Sequence, residues 1–226
     1  FDKTIPSDWE AVAFPLIAAL ISDSKIVIDN VDGSGTQGDD AIVSVLQSVG
    51  ADIQWNKETS QLFVTGGNRL STENLPEKTL RVNLAGFPDA ICALAVIACF
   101  IEGKTVLEDI GVCRRKETDR IVVMKSELEK LGAKVEEGED YLAIYGNSPI
   151  LANGEKNPNF NLHGGTVESF DDHRVAMSFA LTGLRMDGVK ILNPTCCKKT
   201  FAEYMRYVKY ILHMSSVTGK QYGLPS

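Results

Sequence analysis

Gly132-Ala133-Lys134-Val135 echoes Gly50-Ala51-Asp52-Ile53 about 80 residues earlier, and each tetrapeptide stands between a helical and an extended pattern. Before Gly132, the residues Ile121, Val122, Met124, Leu128 and Leu131 recur at roughly helical spacing; before Gly50 a helix is predicted over 39–49. After each glycine come two short strands, around 51–55 and 61–64 in the first case and around 133–135 and 141–145 in the second.

The match extends upstream. Strands are predicted at 25–28 and 105–110, each preceded by an apolar helix. Ser7-Asp8-Trp9-Glu10 is a capping-box pattern opening the first of these, through about 20, and Pro15 inside it predicts a kink or a late start. Pro88-Asp89 opens the second, through about 101, and a strand at 80–84 precedes it. The Gly-rich turn Gly33-Ser34-Gly35 leads into the helix at 39–49. A third unit follows the Asn/Gly/Pro-containing connection 147–158: strand 166–169, helix 172–184, strand 189–192, and the capping box Thr200-Phe201-Ala202-Glu203 with a helix to about 212. The expected architecture is α/β (α+β): one domain, 1–212, of three β-α-β-α-β-β units (about 1–66, 80–146 and 159–212). None of the three can bury a core alone, so they pack with helices inside, about a pseudo-threefold axis.

With 44% hydrophobic and 23% charged residues the chain is ordinary for a globular protein. A net charge of −7 gives no broad attraction to nucleic acid or anionic membrane. The apolar run at 90–101 is too short for the ~20 residues a spanning helix needs. Five cysteines without a C-x-x-C pair or zinc-ligand pattern fit a reducing cytoplasm and no metal. No signal peptide is evident, and a start at Phe1 suggests a fragment.

Against this acidic background, Arg114-Arg115-Lys116-Glu117-Thr118-Asp119-Arg120 is a local basic patch at a strand-to-helix junction. Free N–H groups at such a junction favour anions. Three further constellations occupy similar junctions: Phe87-Pro88-Asp89-Ala90, Phe170-Asp171-Asp172-His173-Arg174 and Cys197-Lys198-Lys199-Thr200-Phe201. If the units converge, Arg120, Arg174 and Lys199 surround a strong anion. The plain alternatives are helix caps, local ion pairs and solvated lysines. Lone His173 has no second histidine at ligand spacing. Cys113 among cations could be a thiol of lowered pKa.

Arg114-x-Lys116-Glu117-Thr118-Asp119-Arg120, then Leu131-Gly132-Ala133, Asp172-His173-Arg174-x-Ala176-Met177 and Lys199-Thr200-Phe201 together resemble the 5-enolpyruvylshikimate-3-phosphate synthase family, a glyphosate target of aromatic amino acid (chorismate) biosynthesis. The resemblance covers about 6–212 and corresponds to the family's C-terminal half. It implies transfer of the enolpyruvyl group of phosphoenolpyruvate to the 5-hydroxyl of shikimate 3-phosphate with release of phosphate, without metal or organic cofactor, in the cytoplasm. It also implies an N-terminal domain of the same enzyme as partner, without which this chain is expected to be inactive. By motif position, Asp89 resembles the acid holding the shikimate hydroxyls and taking the 5-hydroxyl proton. Glu117 resembles the carboxyl exchanging a proton with the methylene. Lys116 resembles the contact to the 3-phosphate, and Arg120, Arg174 and Lys199 the cations around phosphoenolpyruvate. Arg114, Asp172 and His173 are supporting candidates. The sequence departs from the family at Val112, where Asn is frequent, and at Cys113, where Trp is common.

The family's N-terminal Lys-Ser motif and first-domain arginines are absent. Val217-x-Gly219 and Leu224-Pro225-Ser226 resemble the family's first strand, expected here as a strand rejoined behind His213-Met214 within the tail 213–226. Alternatives are a domain like the enolpyruvyl transferase of UDP-N-acetylglucosamine, which the motif pair disfavours, and a non-catalytic anion-binding scaffold.

Overall fold

The structure, a computed structural model, describes Ile5 and residues 7–208. The tail at 213–226, with its expected rejoined strand, lies outside the described residues, as do the last residues of the helix expected to reach 212.

Helix α1 (Trp9–Ile21) is apolar on nearly every side and buried accordingly. Its N-cap is Asp8, whose side chain accepts from the Glu10 N–H at 3.0 Å, rather than Ser7. Pro15 does not delay the helix, which runs from Trp9 straight through it. A helix-interior proline costs about 3 kcal/mol, and burying two residues such as Leu16 and Ile17 offsets that at roughly 1.5–3 kcal/mol each. Strand β1 (Lys25–Ile28), helix α2 (Ala41–Ser48) and strands β2 (Asp52–Asn56) and β3 (Gln61–Thr65) follow. They form a sheet of order β1-β3-β2, with both outer strands antiparallel to β3.

The second sheet is built on β6 (Ile101–Glu108). On one side it pairs in parallel with β4 (Leu70–Ser71) and then β5 (Thr79–Asn83). On the other it pairs antiparallel with β8 (Tyr141–Gly146), which carries β7 (Lys134–Glu137) at the edge. The β6-β8-β7 order repeats that of β1-β3-β2. Between β5 and β6 runs α3 (Ile91–Ala98), every residue of it buried, and between β6 and β7 runs α4 (Arg120–Glu129). The helix expected to reach 101 ends at Ala98. The Cys99 carbonyl accepts from Asn147 N–H, and Ile101 already opens β6, four residues before the expected strand. Short β4 was not foreseen: two residues carry no period.

Strand β9 (Thr166–Glu168), helix α5 (His173–Thr182) and strand β10 (Lys190–Leu192) follow, with β9 and β10 parallel. Residues 204–208 are helical. Helices α1, α3, α4 and α5 pack on one another, with sheets outside. The close approach of layers is visible at Gly146, where a Cβ would lie 2.0 Å from the Ala98 carbonyl oxygen. Among the described residues no helix is long and apolar enough to cross a membrane.

Candidate active site

Three helices begin on one face, and each entry is set by local chemistry. Pro88 starts a 3-10 turn, Pro88–Ala90, that leads into α3 and presents Asp89. Gly111–Arg115 forms another 3-10 turn, after which Asp119 caps α4, accepting from the N–H groups of Ile121 and Val122 at 3.1 Å each. Asp172 caps α5 by accepting from Arg174 N–H at 2.9 Å.

Arg120 ties these three entries together. Its Nε donates to Asp172 Oδ2 at 2.8 Å, one terminal nitrogen donates to Asp89 Oδ1 at 2.6 Å, and the other donates to Glu117 Oε2 at 2.8 Å. Lys116 Nζ donates to the second Asp89 oxygen at 3.2 Å. Arg174 Nε lies 3.7 Å from Asp89 Oδ1, and its guanidinium also donates to Glu10 on α1. His173 Nδ1 is 4.0 Å from Glu117 Oε1 and is buried without a hydrogen-bond partner.

The environment sets the protonation of several of these groups. Burial pushes the Asp89 carboxyl up, but the cations of Arg174, Lys116 and Arg120 outweigh it and hold the group below the usual range. Burial, followed by the neighbouring Arg174 charge, holds the His173 imidazole below its ordinary value. Asp39, just before α2, is pushed up to about 6, first by burial and then by Glu10.

The convergence of Asp89, Lys116, Glu117, Arg120, Asp172, His173 and Arg174 is therefore real in space, but the roles of the cations differ from the expected ring. Arg120 is 1% exposed and its N–H groups are taken up by three carboxylates, so it lies at the base of the cluster rather than open at its rim. Lys199 stands at the edge, 54% exposed and paired with Asp171 at 2.8 Å, an interaction that raises its pKa. Arg114 points away. It binds Asp119 at 2.8 Å and the carbonyls of Gly138 and Glu139, bracing the turn against the β7–β8 hairpin. Cys113 corrects an expectation: burial pushes its thiol up to about 11, and its Sγ donates to the Pro88 carbonyl at 3.3 Å, so it is a packing residue. Among the described residues no group of three or more His, Cys, Asp or Glu side chains is arranged to hold a metal ion.

Glu10 was missed. In the sequence it reads as the acidic member of a capping box, with its carboxylate turned back to its own helix; in the structure that carboxylate reaches Arg174, far along the chain. No local pattern carries that pairing.

The scaffold is mixed α/β, with three helix entries converging on alternating acids and bases, and its fold is enolpyruvyl transferase-like. Residues 1–208 match the family model of EPSP synthase (3-phosphoshikimate 1-carboxyvinyltransferase), and the chain belongs to that family. It is 35% identical over 193 residues to the 3-phosphoshikimate 1-carboxyvinyltransferase of Ruminiclostridium cellulolyticum, covering 85% of this chain and 40% of that protein. With the enzyme of the same name from Natronomonas pharaonis the identity is 37% over 185 residues, 81% of this chain and 37% of that one. A solved EPSP synthase from Acinetobacter baumannii superposes with a TM-score of 0.74 at 26% identity, covering 96% of this chain and 47% of that one. The chain thus spans less than half the length of these relatives.

Proposed function

We propose that this chain supplies one face of an enolpyruvyl transferase active site, moving the enolpyruvyl group of phosphoenolpyruvate to the 5-hydroxyl of shikimate 3-phosphate in cytoplasmic chorismate biosynthesis. A second face comes from the part of the family fold this chain does not span. The observation that carries the reading is the single cluster of Asp89, Lys116, Glu117, Arg120 and Arg174, assembled from three helix entries.

In this reading Asp89 receives the hydroxyl and, on attack of its oxygen at C2 of phosphoenolpyruvate, takes the proton. Held ionised by three cations, it is available as an acceptor. Glu117, more exposed than Asp89, gives a proton to C3 and takes one back as the C2–O bond to phosphate breaks, which restores the enolpyruvyl double bond; the hydroxyl proton held by Asp89 passes to the departing phosphate, and the proton count closes. Lys116 and Arg174, at the rim, meet substrate phosphates and carboxylate, with Lys199 closing the edge. Arg120 and Asp172 position Asp89 and Glu117. His173 is a neutral neighbour of Glu117. Arg114 braces the loop. No step calls on a metal or organic cofactor. We also read 1–212 as one domain of three repeated units, the paired sheet orders supporting that reading for the first two.

The test is phosphate release from phosphoenolpyruvate plus shikimate 3-phosphate, with and without a separately made N-terminal half. Release only with both halves supports the assignment. Release by this chain alone would show the site to be misplaced, and none with folded, associating halves would leave an anion-binding scaffold. A melting-temperature shift with shikimate 3-phosphate and none with a UDP-amino-sugar separates the substrates.

A further inference from the structure

Arg174 is held from two sides. Its Nε lies 3.7 Å from Asp89, at the mouth of the cluster, while a terminal nitrogen donates to Glu10 on α1. Both side chains of the Glu10 pair are partly buried, 15% exposed at Arg174 and 33% at Glu10. The pair borders a small cleft shared by Glu10, Asp39, Asp89, Arg174 and the apolar side chains of Phe14 and Ile42. Glu10 is itself held in place: Asp8 binds its N–H, and Gln37 accepts from Trp9 N–H while donating to Asp32.

Charge bookkeeping shows what Glu10 does to the cluster. Lys116, Arg120 and Arg174 are the cations; Asp89, Glu117 and Asp172 match them one for one, and Glu10 adds a further negative charge. Arg174 does not need Glu10 for its orientation, because its backbone is fixed by the Asp172 cap and its Nε faces Asp89. Glu10 therefore occupies the N–H group that an incoming phosphate or carboxylate would otherwise use. It also lowers the local potential for any anion.

We propose that Glu10 sets the anion affinity of the cluster by competing for the Arg174 guanidinium, an anionic substrate group replacing the Glu10 carboxylate as it binds. This rests on the anion-binding reading of the site given above. Asp39, with a buried and unpartnered carboxyl oxygen, lines the same cleft as Glu10.

The experiment titrates inorganic phosphate and phosphoenolpyruvate into the full chain at neutral pH by calorimetry, for the unmodified protein, Glu10→Gln, Glu10→Asp, Arg174→Gln and the Glu10→Gln/Arg174→Gln double variant. Glu10→Gln is expected to bind roughly tenfold more tightly, the factor carried by one competing charged hydrogen bond. Glu10→Asp, which keeps the charge, should stay near the unmodified protein, and both Arg174 variants should lose the gain. Independently of ligand, the Arg174 Nε–H resonance should move in Glu10→Gln and return in Glu10→Asp; Glu10→Ala serves if Glu10→Gln does not fold. Equal or weaker binding by folded Glu10→Gln, with binding still dependent on Arg174, overturns the role of Glu10 alone. Absence of binding in every folded variant overturns the anion-site reading and this inference with it.

Discussion

Asp172 serves two helices at once: its Oδ1 accepts from Arg174 N–H at 2.9 Å to cap α5, and its Oδ2 accepts from Arg120 Nε at 2.8 Å on α4. Both side chains are nearly withdrawn from water, at 0% and 1% exposure. A buried pair of this kind contributes little net stability when intact, because desolvation consumes most of the attraction, but breaking one side leaves an uncompensated charge.

Arg120→Met should therefore cost about 3–5 kcal/mol in urea unfolding, since the fully buried Asp172 loses its counterion, while Asp89 keeps Lys116 and Arg174. Arg120→Lys should recover only part of this, because one ammonium cannot span three carboxylates in the guanidinium's planar geometry. A loss below about 1 kcal/mol for Arg120→Met would show that the carboxylates relax to water or protons without it.

Asp39 should make the protein less stable as pH rises. Its carboxyl is pushed from 3.8 up to about 6, so between those values the folded state binds more protons than the unfolded chain. Stability falls across that window and stays lowered above it. Asp39→Asn removes the dependence, so its melting temperature relative to the unmodified protein should be higher at pH 7.5 than near pH 4; a difference independent of pH would refute the shift.

His173 works in the opposite direction. Burial and Arg174 lower its pKa from 6.5, so the folded state takes the proton less readily than the unfolded chain. Stability is full above 6.5 and is lost as pH falls below it. On acidification from about pH 7.5 to about pH 5, the unmodified protein should lose more melting temperature than His173→Gln. Equal losses would place the imidazole in solvent.

Glu117→Gln, assayed with the N-terminal half, should fold normally and lower phosphate release by about 10²–10⁴-fold, the usual contribution of one proton-transfer group. Full activity in this variant would remove Glu117 from the chemistry and leave it as a partner of Arg120.

Gly146 and Gly86 should answer alanine differently. A Cβ at Gly146 would lie 2.0 Å from the Ala98 carbonyl oxygen and 2.4 Å from that of Ile101, forcing the α3–β6 turn away at a cost of about 1–3 kcal/mol. At Gly86 nothing lies within 4 Å, and Gly86→Ala should stabilise by about 0.4–1 kcal/mol through the unfolded chain. Differential scanning calorimetry of the two variants checks both signs.

The amino-acid sequence alone determined what depends on neighbours along the chain. The 3.6-residue and alternating periods marked the main helices and strands, with the end of α3 three residues short of expectation. Asp172 was legible as the start of α5, and the stretch 114–120 as the junction leading into α4, because a cap acts within three residues. The Glu117–Arg120 pair lies at i,i+3, within one turn. The motif order also carried the family resemblance.

Tertiary structure decided which charges meet. Asp89 and Asp172 reach Arg120 across 31 and 52 residues of chain, and Glu10 reaches Arg174 across 164. Sequence nominated Arg120 and Lys199 alike as cations around an anion and Arg114 as a supporting residue, yet Arg120 is buried under three carboxylates, Lys199 sits at the edge on Asp171, and Arg114 braces a hairpin. The physical reason is that a charge's role depends on the desolvation and counterions around it. Those are properties of the packed helix entries, and spacing along the chain does not contain them.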